Sequence, residues 1–192
     1  MGSYTTRPVS ETELKEIIEA VASGYTDGNG IPHKPNKQVA VILTLQANLG
    51  CRIGDICALT VESFVHDGEA WKLDITEQKT GKKRNFIVPT RVKAFIDAWT
   101  AEQGITQGRL FSINEYAVWK QLRGVTGYLE LDNVSSHSLR KYAAMKVYEA
   151  SGKDIALTSA FLNHHDTKTS LLYLRKSSKQ MDEILSKTIT LV

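Results

Sequence analysis

One internal stretch breaks an otherwise helical chain. WKLDITE and RNFIVP alternate apolar with polar residues, or run β-branched, on either side of KTGKK, so residues 71–88 read as a β-hairpin with Lys79 near its tip. Elsewhere the apolar residues recur at helical spacing. Ser10 and Glu13 form a capping box ahead of Leu14, Ile17, Ile18 and Val21, and Gly24 stops that helix. After the turn-rich YTDGNGIPHKPN comes an apolar helix from about Lys37 to Leu49, with Val39, Ile42, Leu43 and Gln46 on one face and Gly50 at its end.

A helix from about Arg91 to Gln103 presents Val92, Phe95, Ile96 and Trp99. Ser112 with Glu115 reads as a second capping box, opening a helix that carries Val118, Trp119 and Leu122. Ser135 or Ser136 caps the next, which Gly152 closes; Asp154 starts a short helix to about Leu162, and Asp166 caps another containing Tyr173. The expected fold is α+β, mainly helical with one small antiparallel sheet. Residues 1–8 read as a flexible leader whose MGS start resembles a cloning scar, 9–176 as one domain, and 177–192 as a helix plus the strand-like TITLV. An exposed TITLV strand would have a free edge, so this tail is expected to dock on a neighbouring protomer.

Composition narrows the chemistry. At 192 residues and 42% hydrophobic content the chain can bury a core without disulfide or metal staples. Cys51 and Cys57 have neither the spacing nor the companions of a zinc site or a disulfide framework, so a reducing compartment is the default. No apolar run approaches a membrane span, and the expected location is the cytoplasm, with no membrane partner. The net charge of +3 is compatible with nucleic-acid binding without requiring it, but KTGKKR concentrates four cations while ETELKEIIEA is acidic. On charge alone, a solvated hairpin tip is the simpler explanation of that cluster.

The phosphate-binding loop GxxxxGK[ST] is absent, as are GxGxxG after a strand, GxSxG and HExxH. His164, His165 and Asp166 are consecutive and do not converge on one ion, so no metal site is assigned. What remains are proton-carrying and cationic stations: Arg52 after a helix end, Lys79 on the hairpin, His137 and Arg140 three apart on one helix face, and His164 nine residues before Tyr173. Each has a plain structural reading alone: a surface cation or partner of Asp55, a capping histidine, a half-buried aromatic. Their combination is harder to explain without a shared anion.

In that combination LGCRIGDICALTV, KTGKKRNFIVPT, SSHSLRKYAA and LNHHDTKTSLLYL resemble the successive boxes of the tyrosine recombinases, the integrase family of phages and mobile elements. The likeness runs from about Val9 to Leu174. Asp55 stands in place of the usual glutamate, and Asn163 in place of the usual glycine. The family normally has a DNA-gripping domain upstream, so the chain is expected to be part of a longer protein.

The resemblance implies a catalytic set of Tyr173, Arg52, Lys79, His137, Arg140 and His164, with Asp55 orienting Arg52 or His137 and with Lys82, Lys83 and Arg84 gripping the DNA backbone. It implies a site-specific recombinase that cleaves and rejoins DNA through a 3′-phosphotyrosyl link, needing neither cofactor nor metal. Its expected partners are duplex DNA at a recombination site, further copies of itself in a tetrameric synapse assembled from free monomers, and accessory DNA-bending proteins, in a bacterial host. Two other readings stay open: a non-catalytic DNA-binding module of the same fold, and a relaxase of related chemistry.

Overall fold

The computed structural model describes residues 6–163 and 185–191. Helix α1 (Glu11–Ser23) starts at the expected box: the Ser10 hydroxyl accepts from Glu13 N, and the Glu13 carboxylate accepts from Ser10 N. Leu14, Ile17, Ile18 and Val21 are all buried. The loop expected to follow contains a two-stranded ribbon, β1 (Tyr25–Thr26) antiparallel to β2 (Pro32–His33). Arg7 lies inside the folded body, because its guanidinium pairs with Glu13 and its backbone N–H donates to Asn133 O. Residues 6–8, expected in the leader, are therefore part of the folded body.

Helix α2 (Lys37–Leu49) is capped by Asn36, whose side chain accepts from Val39 N. Every residue from Ile42 to Leu49 is buried, polar ones included, because α1 packs on one side and α6 (Ser136–Ala150) on another. This central helix ends at Gly50, where φ is +61°. A short helix α3 (Ile53–Cys57), a 3-10 turn (Val61–Ser63) and a three-stranded sheet follow.

The sheet has β4 (Ala70–Thr76) in the middle, antiparallel to β3 (Phe64–Asp67) and to β5 (Lys83–Val88), with Ile75 opposite Arg84 and Trp71 opposite Val88. The expected hairpin is thus β4–β5. Strand β3 escapes a pattern search because it buries only Phe64, leaving Val65, His66 and Asp67 exposed.

Helix α4 (Thr90–Gln103) covers the sheet and ends at Gly104. Helix α5 (Glu115–Tyr128) is capped by Asn114, not by Ser112: the Asn114 amide oxygen accepts from Ala117 N, whereas Ser112 bonds Gln38 of α2. Helix α6 is capped by Ser135, and α7 (Ile155–Phe161) by Asp154, whose carboxylate accepts from Ala156 N and Leu157 N. The buried apolar residues form a single core. No helix among the described residues is long and apolar enough to cross a membrane.

Residues 185–188 are helical and 189–191 are not a strand. They seat on their own chain: Asn48 of α2 donates to Thr190 O at 2.9 Å and accepts from Thr190 N at 2.8 Å, and the Tyr142 and Thr190 hydroxyls share a bond of 2.7 Å. Leu185, Thr188 and Thr190 are buried. The free strand edge that motivated docking on a neighbour is absent from this segment.

Candidate active site

Four segments distant in sequence meet where α2 and α7 end. Arg52 opens α3 with extended backbone (φ −69°, ψ 152°), and its side chain makes no capping bond. It is therefore available to Glu77, which receives Arg52 Nη1 at 2.6 Å. Glu77 is fully buried, the Arg52 side chain 22% exposed, so the carboxylate lies behind a guanidinium that still reaches solvent.

Arg140 and Arg84 perform matching tasks beside this pair. Arg140 Nη1 donates to Gly50 O at 2.8 Å and Nη2 to Leu162 O at 2.7 Å. Arg84 Nη2 donates to Leu49 O at 2.8 Å and to Phe161 O at 2.6 Å. Both guanidiniums thus bridge the unpaired carbonyls at the C-terminal ends of α2 and α7, where a cation also meets the negative end of the helix dipole. Gly50 makes this approach possible: a Cβ there would lie 2.5 Å from the Phe161 ring. Asn163 at φ +55° then turns the chain out of α7, a conformation that asparagine tolerates.

Electrostatics follow from this crowding. Burial, then the nearby charges of Arg84 and Arg52, lower the Arg140 pKa to about 10, so it stays cationic at neutral pH. Burial alone would raise the Glu77 pKa, but hydrogen bonds from Thr80 and Arg52 and the charges of Arg52 and Arg84 outweigh it and hold the group below its usual range. Three guanidiniums, those of Arg52, Arg84 and Arg140, gather around one buried carboxylate, Glu77. The balance favours an anion.

The other expected residues divide. Lys79 is exposed on the turn between β4 and β5, and Lys82 and Lys83 flank it. Arg84 does not belong to that surface: it is 3% exposed, committed to two carbonyls and Glu77, and its guanidinium stacks near Phe86 and Phe161. Asp55 is not bonded to Arg52 or to His137; its Oδ1 accepts from Gln78 N at 2.9 Å, which pins the Lys79 turn, and its buried Oδ2 has no hydrogen-bond partner among the described residues. His137 is exposed on the first turn of α6, one turn before Arg140. His164, His165, Asp166 and Tyr173 lie outside the described residues. Among the described residues no group of three or more His, Cys, Asp or Glu could hold a metal ion.

Spacing between sequence neighbours does not single out Glu77, although a signal is there. Alternation along β4 puts Leu73, Ile75 and Glu77 on one face, and along β5 Arg84, Phe86 and Val88. An inward carboxylate just past the end of β4, on the same face as the inward Arg84, demands a buried pair.

The profile of the Phage integrase family matches residues 8–180. No curated protein matches the chain in sequence. Among solved structures it resembles the XerH site-specific recombinase bound to difH substrate in a pre-cleavage complex, at TM-score 0.62 and 16% identity, over 88% of this chain and 50% of that one. It also resembles a lambda integrase dimer bound to a COC′ core site, at TM-score 0.66 and 17% identity, over 93% and 50%. A third is the integrase from mycobacterium phage Brujita, at TM-score 0.66 and 18% identity, over 99% and 60%. At these identities the likeness is one of fold. The chain spans about half the length of the first structures it matches.

Proposed function

Because the chain belongs to the phage integrase family, we propose that it carries the strand-transfer chemistry of a site-specific DNA recombinase. The catalytic domain in this reading includes Arg7 at one end and the segment 185–191 packed on α2 and α6 at the other. Tyr173 is the nucleophile: its oxygen forms a bond to the scissile phosphorus as the bond to the 5′-oxygen breaks, leaving a 3′-phosphotyrosyl link. The phenolic proton passes to His137, and Lys79 supplies a proton to the departing 5′-oxygen. Attack by a 5′-hydroxyl of the partner strand reverses the step. One phosphodiester is exchanged for another, so no external energy source is needed.

The observation that carries this reading is the convergence of Arg52 and Arg140 beside the turn that bears Lys79. Arg52 spends one N–H on Glu77 and Arg140 two on carbonyls, and each keeps further donors for the non-bridging oxygens of a phosphate. A free phenol, with pKa ~10, is only about 0.1% ionised at neutral pH, so these cations lower the cost of the phenolate and of the transition-state charge. His164 donates to the same phosphate. Lys82 and Lys83 contact the DNA backbone without reading its sequence. Duplex DNA at a recombination site, further copies of the chain in a tetrameric synapse, and accessory DNA-bending proteins are the partners, in the cytoplasm of a bacterial host.

A nicked suicide duplex, which loses the short 5′-hydroxyl fragment after cleavage, tests the chemistry. The expected result is a protein–DNA adduct that survives denaturant and disappears in Tyr173→Phe. No adduct makes the chain a binding module instead, and one undiminished in Tyr173→Phe removes Tyr173 as the nucleophile. Strand exchange between two duplexes distinguishes a recombinase from a relaxase.

A further inference from the structure

The role that spacing suggests for Asp55, support of Arg52, falls to Glu77 instead. Asp55 touches the Lys79 turn through Gln78 N, while Glu77 takes Arg52. Glu77 also does more than pair with an arginine. Its Oε2 accepts from the Thr80 hydroxyl at 2.7 Å as well as from Arg52, and its Oε1 faces Arg84 Nη1 at 3.5 Å. Its backbone closes the turn as well: Glu77 N donates to Lys82 O at 2.9 Å, and Gly81 N donates to Glu77 O at 2.8 Å. The residue that holds Arg52 is therefore also the base of the turn on which Lys79 stands.

We infer that Glu77 is a positioning residue of the strand-transfer site, fixing Arg52 with one edge toward the phosphate and, through Thr80, holding the Lys79 turn beside the same phosphate. The inference rests on the roles of Arg52 and Lys79 proposed above. A guanidinium presents its donors in a rigid planar fork, so a carboxylate on one edge sets the direction of the others. With Glu77 fully buried and Arg52 partly exposed, the carboxylate occupies the inner edge and the outer edge is free. Arg84, held between Phe86 and Phe161, balances Glu77 from inside and keeps the carboxylate from moving. The Thr80 bond is the remaining link, and it joins the two functions: one oxygen holds both the phosphate clamp and the turn of the general acid.

The test uses single-turnover cleavage of nicked duplex by wild-type, Tyr173→Phe, Glu77→Gln and Thr80→Val chains. Each meets an ordinary scissile phosphate and one whose bridging 5′-oxygen is replaced by sulfur. A thiolate leaves without being protonated, so the sulfur substrate does not need Lys79. Thr80 is exposed on the turn, and Thr80→Val is expected to retain the fold. It should slow cleavage of the oxygen substrate roughly tenfold, the scale of one lost hydrogen bond, and cleave the sulfur substrate at the wild-type rate. Glu77→Gln should lose about 10²-fold on oxygen and recover only part of that on sulfur, because Arg52 remains displaced.

Thr80→Val slowing both substrates equally, or neither, overturns the inference, as does Glu77→Gln cleaving at the wild-type rate. A wild-type chain that forms no Tyr173-dependent adduct overturns the strand-transfer reading itself, which separates the two failures.

Discussion

Replacing Arg84 by methionine decides whether this arginine is a DNA contact or an internal brace. The substitution keeps most of the side-chain volume and removes two bonds from a charged donor to carbonyls, at 2.8 Å to Leu49 and 2.6 Å to Phe161. Each such bond contributes about 1.5 kcal/mol or more, giving a loss of about 3 kcal/mol. Glu77 keeps Arg52 and Thr80, so its carboxylate is not left unpaired and the larger penalty of a broken buried pair is avoided. For a chain of this size, ~3 kcal/mol corresponds to a fall in Tm of about 6–12 °C.

The companion variant Lys83→Met removes an exposed cation and should leave Tm unchanged. Salt titration of binding to random duplex, well below either Tm, gives the opposite ranking. Removing a phosphate contact reduces the slope of log K against log salt by about 0.9, which is expected for Lys83→Met and not for Arg84→Met. An Arg84→Met protein of wild-type stability with a reduced salt slope would refute the reasoning.

Three further outcomes follow from the packing. Gly50→Ala combines a side chain at φ +61° with a Cβ 2.5 Å from Phe161, so thermal unfolding should show a loss of about 2–4 kcal/mol, and an unchanged Tm would contradict this close approach of α7 to the end of α2. Glu13 is held down to about 2, chiefly by its hydrogen bond from Arg7, so its contribution is complete above pH about 4.5 and is lost as pH falls toward 2; the Tm difference between wild type and Glu13→Gln should shrink across that window, and a pH-independent difference speaks against the pair. Asn48→Ala removes both bonds to the Thr190 backbone and should cost about 1–2 kcal/mol while exposing the C-terminus to carboxypeptidase; undiminished resistance would show that the tail is held elsewhere.

Helix ends are the most legible part of the chain because their chemistry is local. Ser10 with Glu13, Gly50 after Leu49, and Asp154 before α7 each satisfy or terminate backbone groups within one turn, and each acts where spacing predicts. Ser112 shows the limit: it has the right spacing to Glu115, but Asn114 is a competent cap adjacent to the helix, and Ser112 is taken by Gln38 from a remote helix. The site is legible as residue types in boxes, and the structure brings Arg52 and Arg140 to one place.

What spacing does not reveal is which charges face inward. Arg84 looks like the last member of a basic run, yet strand alternation with Phe86 and Val88 puts it in the core. Asp55 looks like the partner of Arg52 because it is three residues away, whereas Glu77, on another element, is the group in contact. Both errors come from weighing sequence neighbours above strand period.

The most direct measurement is a crystal structure of the chain with a duplex carrying an uncleaved scissile phosphate. The account predicts non-bridging oxygens within hydrogen-bond distance of the outer edge of Arg52 and of Arg140, the Lys79 ammonium at the bridging 5′-oxygen, and Glu77 still bonded to Arg52 from behind. A scissile phosphate seated on another face, with Arg52 and Arg140 both turned away from it, would contradict the account.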